Sequence, residues 1–472
     1  MASRSDQLHS HQFTLHRVVG ALAMRDPDPA SSPMRRIGGA LFAGVMLAAL
    51  ALAAVGVYGV LRPGGNNSWR DGGSVIVERE SGARFVFRDG VLHPVLNYSS
   101  ALLILGSAQP KTALVARGSL ADVPRGTPLG IPGAPDLLPT PGELISRPWT
   151  LCSRTRASAA PASSAESVLL IGAEPASAPQ SLDQRALLGL DPTGGLHVIW
   201  NRHRFAIPAR EESVVLAAFT WTRQAATPVA PAVLNAVPAG PDLARIPIAG
   251  RGGRSTMEGY RVGQVLYVEN QTGARQYGVV LSAGLADITQ VQADLLLAAN
   301  ADPTANATRM TQAQYASAPR AASLMPSGDS ATPAATPELA PVPAAGGPCA
   351  LFVDGAAPPD VSVAASLAAG SGEIRAGPAG GVTGLGIGVD RVVVAPGRGA
   401  VVEALAGPGS PSGSISVVSD LGMRYPVPSV DVLAMLGYRG VRPQQLPASV
   451  VALLPAGRAL DPAAARLPSI RG

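Results

Sequence analysis

Few residues in this chain have the type and spacing to do chemistry. Two cysteines stand alone, Cys152 in "RPWTLCS" and Cys349 in "GGPCALFVDG", 197 positions apart. Neither belongs to a C-x-x-C pair, so a zinc ribbon or a thioredoxin-type site is not supported. They are either two unrelated thiols or one bond joining distant stretches of the chain. A bond would point to an oxidising compartment, because disulfides persist outside the reducing cytosol.

Beyond residue 61 the only histidines are His93, His197 and His203. A histidine base needs a serine or cysteine within reach, and spacing alone supplies none. His93, in "DGVLHPVL", reads as a local hydrogen-bonding residue. His9, His11 and His16 lie near the N-terminus without acidic or cysteine ligands, so they read as exposed residues of a solvated helix. No G-x-x-x-x-G-K-[ST], G-x-S-x-G or H-E-x-x-H occurs. "GLGIGVD", from Gly384 to Asp390, has no following lysine and reads as a turn. No pair of carboxylates stands out.

One pattern does recur. Gly-x-Arg appears as Gly82–Arg84, Gly273–Arg275 and Gly422–Arg424. A weaker copy keeps Arg204 and has Arg202 in place of the glycine. A hairpin turn often needs one residue at positive φ, which glycine adopts without steric cost. A repeated ligand contact is one reading of the arginines. A strand residue with a packed stem and a wet head is the simpler one.

The elements that carry these residues are strands and helices in a repeating order. "VIVERESGARFVFRDG", "LHVIWNRHRFAIP", "VLYVENQTGARQYGVV" and "ISVVSDLGMRYPVP" each read as strand, turn, strand. Each precedes a helical stretch: "NYSSALLIL", "EESVVLAAF", "ADITQVQADLLLA" and "SVDVLAMLG". Ser429 is placed to cap the last of these.

The arginine spacing is uneven, so this is not a regular solenoid. Material is inserted between copies one and two, and between copies three and four. The two insertions hold Cys152 and Cys349 respectively. The simplest arrangement is a central β-rich domain built from both insertions, with the four repeats around it.

We expect these boundaries: repeat 1 at 62–120, the first half of the central domain at 121–190, repeat 2 at 191–255 and repeat 3 at 256–315. A linker rich in Ala and Pro follows at 316–348. The second half of the central domain then covers 349–412, and repeat 4 with the tail covers 413–472. The linker is expected to be mobile, being poor in bulky apolar residues. The fold class is therefore α+β and β-rich.

Ahead of the repeats, residues 37–61 read "IGGALFAGVMLAALALAAVGVYGVL", 25 residues without a charge. As a helix they reach about 37 Å, enough to cross a ~30 Å hydrocarbon core. The run is too long for a signal peptide. Residues 1–36 form a short segment before the span. Charges on its two sides are nearly balanced, so they do not set its orientation. The net charge of +5 comes from arginine, since Lys111 is the only lysine. No segment interleaves basic and aromatic residues, so nucleic acid is not an expected partner.

The chain resembles the EccB family, the single-span membrane component of type VII (ESX) secretion machinery. The resemblance rests on "SRSDQLHSHQFTLHRVVGAL", "VIVERESGARFVFRDGVLHPVLNYSSALLILG", "VPRGTPLGIPGAPDLLP", "RPWTLCS", "GGPCALFVDG" and "SDLGMRYPV". It implies a cytoplasmic N-terminus, one span and a large extracytoplasmic region. It implies a central domain with four repeats, similar in fold to a phage-lysin cell-wall-binding subunit. It implies a disulfide between Cys152 and Cys349.

Implied partners are EccC, EccD, EccE and the mycosin protease, with further copies of the chain in a homo-oligomer. The expected role is structural, organising the extracytoplasmic region of a secretion complex. Members have also been called ATPases, and no Walker motif here would carry that activity. No cofactor is expected, with ATP doubtful on that ground, and no metal site is read from the sequence. A weak nucleotide hydrolase and a cell-wall-binding module are the alternative readings.

Overall fold

The structure is a computed structural model that describes residues 3–25, 33–61, 68–155, 165–299, 306–328, 331–367, 373–375, 382–383, 386–407 and 409–469. It begins with two helices, Arg4–Met24 and Pro33–Leu61. Ser3 caps the first, its side chain accepting from the Asp6 amide while Asp6 accepts from the Ser3 amide. The second contains a stretch, Gly38–Tyr58, long and apolar enough to cross a membrane, and none of it is buried against the rest of the protein.

Four small sheets follow, all with one topology. Repeat 1 has the strands Ser74–Glu78, Arg84–Arg88 and Val91–Pro94, the helix Tyr98–Leu105, then the strand Lys111–Val115 and the helix Arg117–Leu120. The first three strands form an antiparallel meander, and the fourth lies parallel to the first. Repeats 2, 3 and 4 have the same strand order. The expected strand–turn–strand–helix unit thus gains a third strand before its helix. In repeat 3 that strand, Gly284–Ile288, includes the "ADI" that the sequence pattern assigns to the helix.

Each repeat ends in an extended segment beside its third strand. In repeat 1 the Leu92 amide donates to Pro124 O, the Gly126 amide to Leu92 O, and the Leu129 amide to Pro94 O. The same triplet recurs with Arg204, Pro238, Gly240 and Leu243; with Leu285, Pro319, Ala321 and Leu324; and with Arg424, Pro455, Gly457 and Leu460. These bonds measure 2.7–3.0 Å throughout. The shared sequence is Pro-x-Gly/Ala-x-x-Leu: "PRGTPL", "PAGPDL", "PRAASL" and "PAGRAL".

These segments move the expected boundaries. Repeat 1 extends through 124–129. Repeat 2 begins with the strand Leu187–Leu190, and repeat 4 with the strand Ala400–Leu405. The 316–348 stretch also departs from a mobile linker. It starts as the closing segment of repeat 3 and continues as a strap. The Val291 amide donates to Ala334 O, the Ala186 amide to Glu338 O, and the Ala340 amide back to Ala186 O. Leu339 packs on the core of repeat 2 and Val342 on the central core. Composition shows that such a segment cannot build a core alone. It does not show that neighbouring domains supply one.

Among the described residues seven strands form the central sheet, and both insertions contribute. Trp149–Thr155 lies between Ala165–Ile171 and Gly347–Phe352, antiparallel to each. The repeats pack in two pairs. The helix of repeat 1 shares a core with Val417, Leu433 and Tyr438 of repeat 4. In repeats 2 and 3, Val215 and Phe219 meet Val291 and Leu295. The central core joins Trp149, Leu169 and Phe352 to Val233 of repeat 2 and Val450 of repeat 4. The tail makes the short helix Pro462–Ala465 and then returns to repeat 1, where the Ser469 amide donates to Pro128 O.

Candidate functional site: a clasped sheet between two pairs of repeats

Cys152 and Cys349 face each other directly on adjacent antiparallel strands and form a disulfide. Both are fully buried, among Val168, Leu170 and Val393. The bond therefore ties together the two halves of the central sheet, which enter from opposite sides of repeats 2 and 3. Beside it Arg154 meets Glu166 at 2.6 Å, with Arg391 at 3.7 Å from the same carboxylate.

The Gly-x-Arg residues divide into two structural classes. Gly82 and Gly273 occupy the first hairpin turn of their repeats, and Arg84 and Arg275 start the second strand. Gly422 lies in the second hairpin turn of repeat 4, and Arg424 starts the third strand. Arg204 is also on a third strand, His203–Ile207. The single motif read from sequence therefore merges two registers. Both hairpins of a three-stranded meander can use a turn glycine followed by a strand, so the local pattern cannot distinguish them.

The contacts follow these classes. Arg84 makes two bonds to Asp136, at 2.8 and 2.9 Å. Arg275 lies over the Tyr267 ring at 4.9 Å. Arg204 and Arg424 instead make one equivalent bond. Each Nε donates at 3.2 Å to the carbonyl just before the closing proline, Val237 O or Leu454 O. Burial pushes the Arg424 guanidinium down from its ordinary value. Arg202 occupies the second turn of repeat 2 at φ 64°, where glycine would be unstrained. Its guanidinium bonds Pro358 O and pairs with Asp360 at 3.1 Å, which ties repeat 2 to the central domain.

The histidines also have local partners. His93 Nδ1 lies 3.0 Å from Thr127 O. His197 Nε2 lies 3.0 Å from Asp191 Oδ2. Burial works against charge on Asp191. Bonds from the Thr193 hydroxyl, from His197 and from the Gly195 and Thr193 amides outweigh it and hold the carboxyl at about 2. His203 Nδ1 lies 2.9 Å from the Asn201 carbonyl.

Among the described residues, no three His, Cys, Asp or Glu side chains gather as a metal site. A cleft of about 230 Å³ opens between repeats 2 and 4, lined by Asn235, Pro358, Leu405 and Ser449 among others. Among the described residues its walls carry no acid or base. Gly384 and Leu385 of the glycine-rich turn lie outside the described residues. The residues that sequence reading missed are the closing segments themselves. Their fourfold Pro-x-Gly/Ala-x-x-Leu spacing was the available signal.

This architecture defines a class: a single-span membrane protein carrying paired small repeats around a disulfide-tied central sheet. Residues 1–469 match the family model for the type VII secretion system ESX-1 transport TM domain B, and the chain belongs to this EccB family. It is 29% identical over 475 aligned positions to the ESX-3 secretion system ATPase EccB3 of Mycolicibacterium smegmatis, covering 96% of this chain and 88% of that one. It is 28% identical to the ESX-1 secretion system ATPase EccB1 of Mycobacterium tuberculosis, over 62% of this chain and 61% of that one.

The fold is similar to a chain of an intact ESX-5 inner membrane complex, with a TM-score of 0.67 at 24% identity, covering 100% of this chain and 96% of that one. It is also similar to the EccB3 dimer from the ESX-3 core complex, with a TM-score of 0.66 at 30% identity, covering 84% of this chain and 100% of that chain.

Proposed function

We propose that this chain is a structural, membrane-anchored subunit of a type VII secretion complex, and that its repeats and central sheet organise the region of that complex outside the cytoplasm. The observation that carries this reading is the whole-chain match to the family, together with a fold built for rigid packing. The disulfide favours an N-terminus in the cytoplasm and a C-terminal region in an oxidising compartment. The proposed partners are EccC, EccD, EccE, the mycosin protease and further copies of the same chain. Purification of the tagged chain in mild detergent should recover a large complex. A free monomer, with secretion intact after deletion of the gene, would overturn the proposal.

We also propose that the chain works without a bound cofactor. Both relatives named above carry the word ATPase in their names. This sequence supplies no Walker lysine to cradle a phosphate. ATP turnover by the pure protein that disappears on one defined substitution would reverse that reading. Binding to the cell wall is a second role compatible with the repeats, and retention on purified peptidoglycan tests it.

A further inference from the structure

Repeat 3 carries a basic pair with no acidic partner. Arg254 and Arg261 lie opposite each other across an isolated antiparallel bridge. Both are exposed, and among the described residues neither makes an ion pair. Directly opposed residues of this kind hold their Cβ atoms about 5 Å apart, and like charges there repel. Arg251 stands in the same loop, its stem over Gly263 and its Nη2 3.4 Å from Leu296 O.

The loop is anchored rather than loose. The Ser255 hydroxyl donates to Leu281 O at 2.6 Å, the Thr256 amide to Ser282 O at 3.0 Å, and the Gly263 amide to Val280 O at 2.8 Å. Met257 is buried in the core of repeat 3. The two guanidinium groups are thus mounted on a fixed base, which lowers the ordering cost of binding.

We infer that the 250–263 loop is a docking surface for a phosphate-bearing anionic polymer, bridged by Arg254 and Arg261. An anion between them relieves their repulsion, and the guanidinium fork suits phosphate oxygens. The surroundings favour a polymer over a folded protein. Protein interfaces have apolar, aromatic centres. Here Met257 turns inward and Tyr260 packs half-buried on the same core, while the exposed neighbours are Gly250, Arg251, Gly252, Gly253, Thr256, Glu258 and Gly259. Glu258 is the one acidic residue of the loop.

The test uses the full chain in detergent with long-chain inorganic polyphosphate as probe. Binding should weaken with salt, and R254Q/R261Q should lower affinity about tenfold and reduce the salt slope by about two. R254K/R261K, which keeps charge without the fork, should fall between. R79Q, at an exposed arginine of repeat 1, should change affinity far less. Unchanged binding by R254Q/R261Q, with an unchanged melting midpoint, would overturn the proposal. So would tighter binding of poly-glutamate than of polyphosphate. Retention on phosphatidylglycerol vesicles but not on polyphosphate would assign the phosphate to lipid and overturn the polymer.

Discussion

Gly457 passes directly against the ring of Tyr425, so a Cβ added to it would lie 2.3 Å from Cε1. The same relation joins Gly240 to Phe205 and Gly126 to His93, each at 2.4 Å. Repeat 3 has Ala321 in the glycine position, and the residue in the ring position is Ala286. The closing segment is close enough to its strand that a ring on one side requires glycine on the other.

Gly457→Ala should therefore destabilise the protein by about 1–3 kcal/mol through overpacking. Ala321→Gly should cost less than about 1 kcal/mol, mostly backbone entropy. Denaturant unfolding of both variants in the same detergent compares them directly. Equal losses would refute the steric account.

Removing the disulfide should cost about 5 kcal/mol in the chain-entropy description, given its 197-residue separation. Intact mass should rise by two hydrogens on reduction. The Cys152→Ala/Cys349→Ala variant should melt lower than the oxidised protein. Equal melting would show that the repeat interfaces alone hold the sheet.

Arg204→Ala and Arg424→Ala should each lose about 1–3 kcal/mol, because a partly buried carbonyl then lacks its donor. Arg84→Ala should lose about 0–1 kcal/mol, since its pair with Asp136 is exposed. Hydrogen exchange should localise the first two effects to the amides of Gly240 and Gly457. Uniformly faster exchange across the chain would argue against local control.

Asp191 makes repeat 2 acid-sensitive. Its carboxyl is held at about 2, below the unfolded value near 3.9. Its stabilising effect is therefore present above about pH 4 and is lost as pH falls toward 2. In repeat 3 Asn270 makes the equivalent bonds to Thr272 and Ala274 without a charge. Asp191→Asn should remove the share of acid unfolding that falls in this window. A stability–pH curve identical to that of the parent would show that another group controls it.

Some elements are legible in the sequence and others are not. The apolar run of residues 37–61 and the alternation around Val75 and Val265 are strong periodic signals, and the structure has a helix and strands there. Ser429 is legible as a cap, and it accepts from the Val432 amide. The assembly of the central domain from two insertions is also readable, because uneven repeat spacing exposes inserted chain. The remaining strand of each meander is harder to read. In repeats 1 and 3 it is the short third strand, Val91–Pro94 or Gly284–Ile288, which runs almost directly into the helix, and in repeats 2 and 4 it is the first, Leu187–Leu190 or Ala400–Leu405, which lies ahead of the hairpin. The strap from 331 onward leaves no periodic signal because its hydrogen bonds go to other repeats. Arg254 and Arg261 become a pair only when the loop folds back on itself.

The central sheet also fixes an order of events in time. A ribosome releases Cys152 long before Cys349, and repeats 2 and 3 are made in between. Until Gly347–Phe352 emerges, Trp149–Thr155 lacks the neighbour that it has in the finished sheet. Repeat 1 waits longer still, because its helix packs on repeat 4. A nascent chain halted before Gly347 should therefore carry a Cys152 thiol open to alkylation, and one halted after repeat 4 should not. A mixed disulfide formed early at Cys152 would persist until the Cys349 thiolate emerges to displace it.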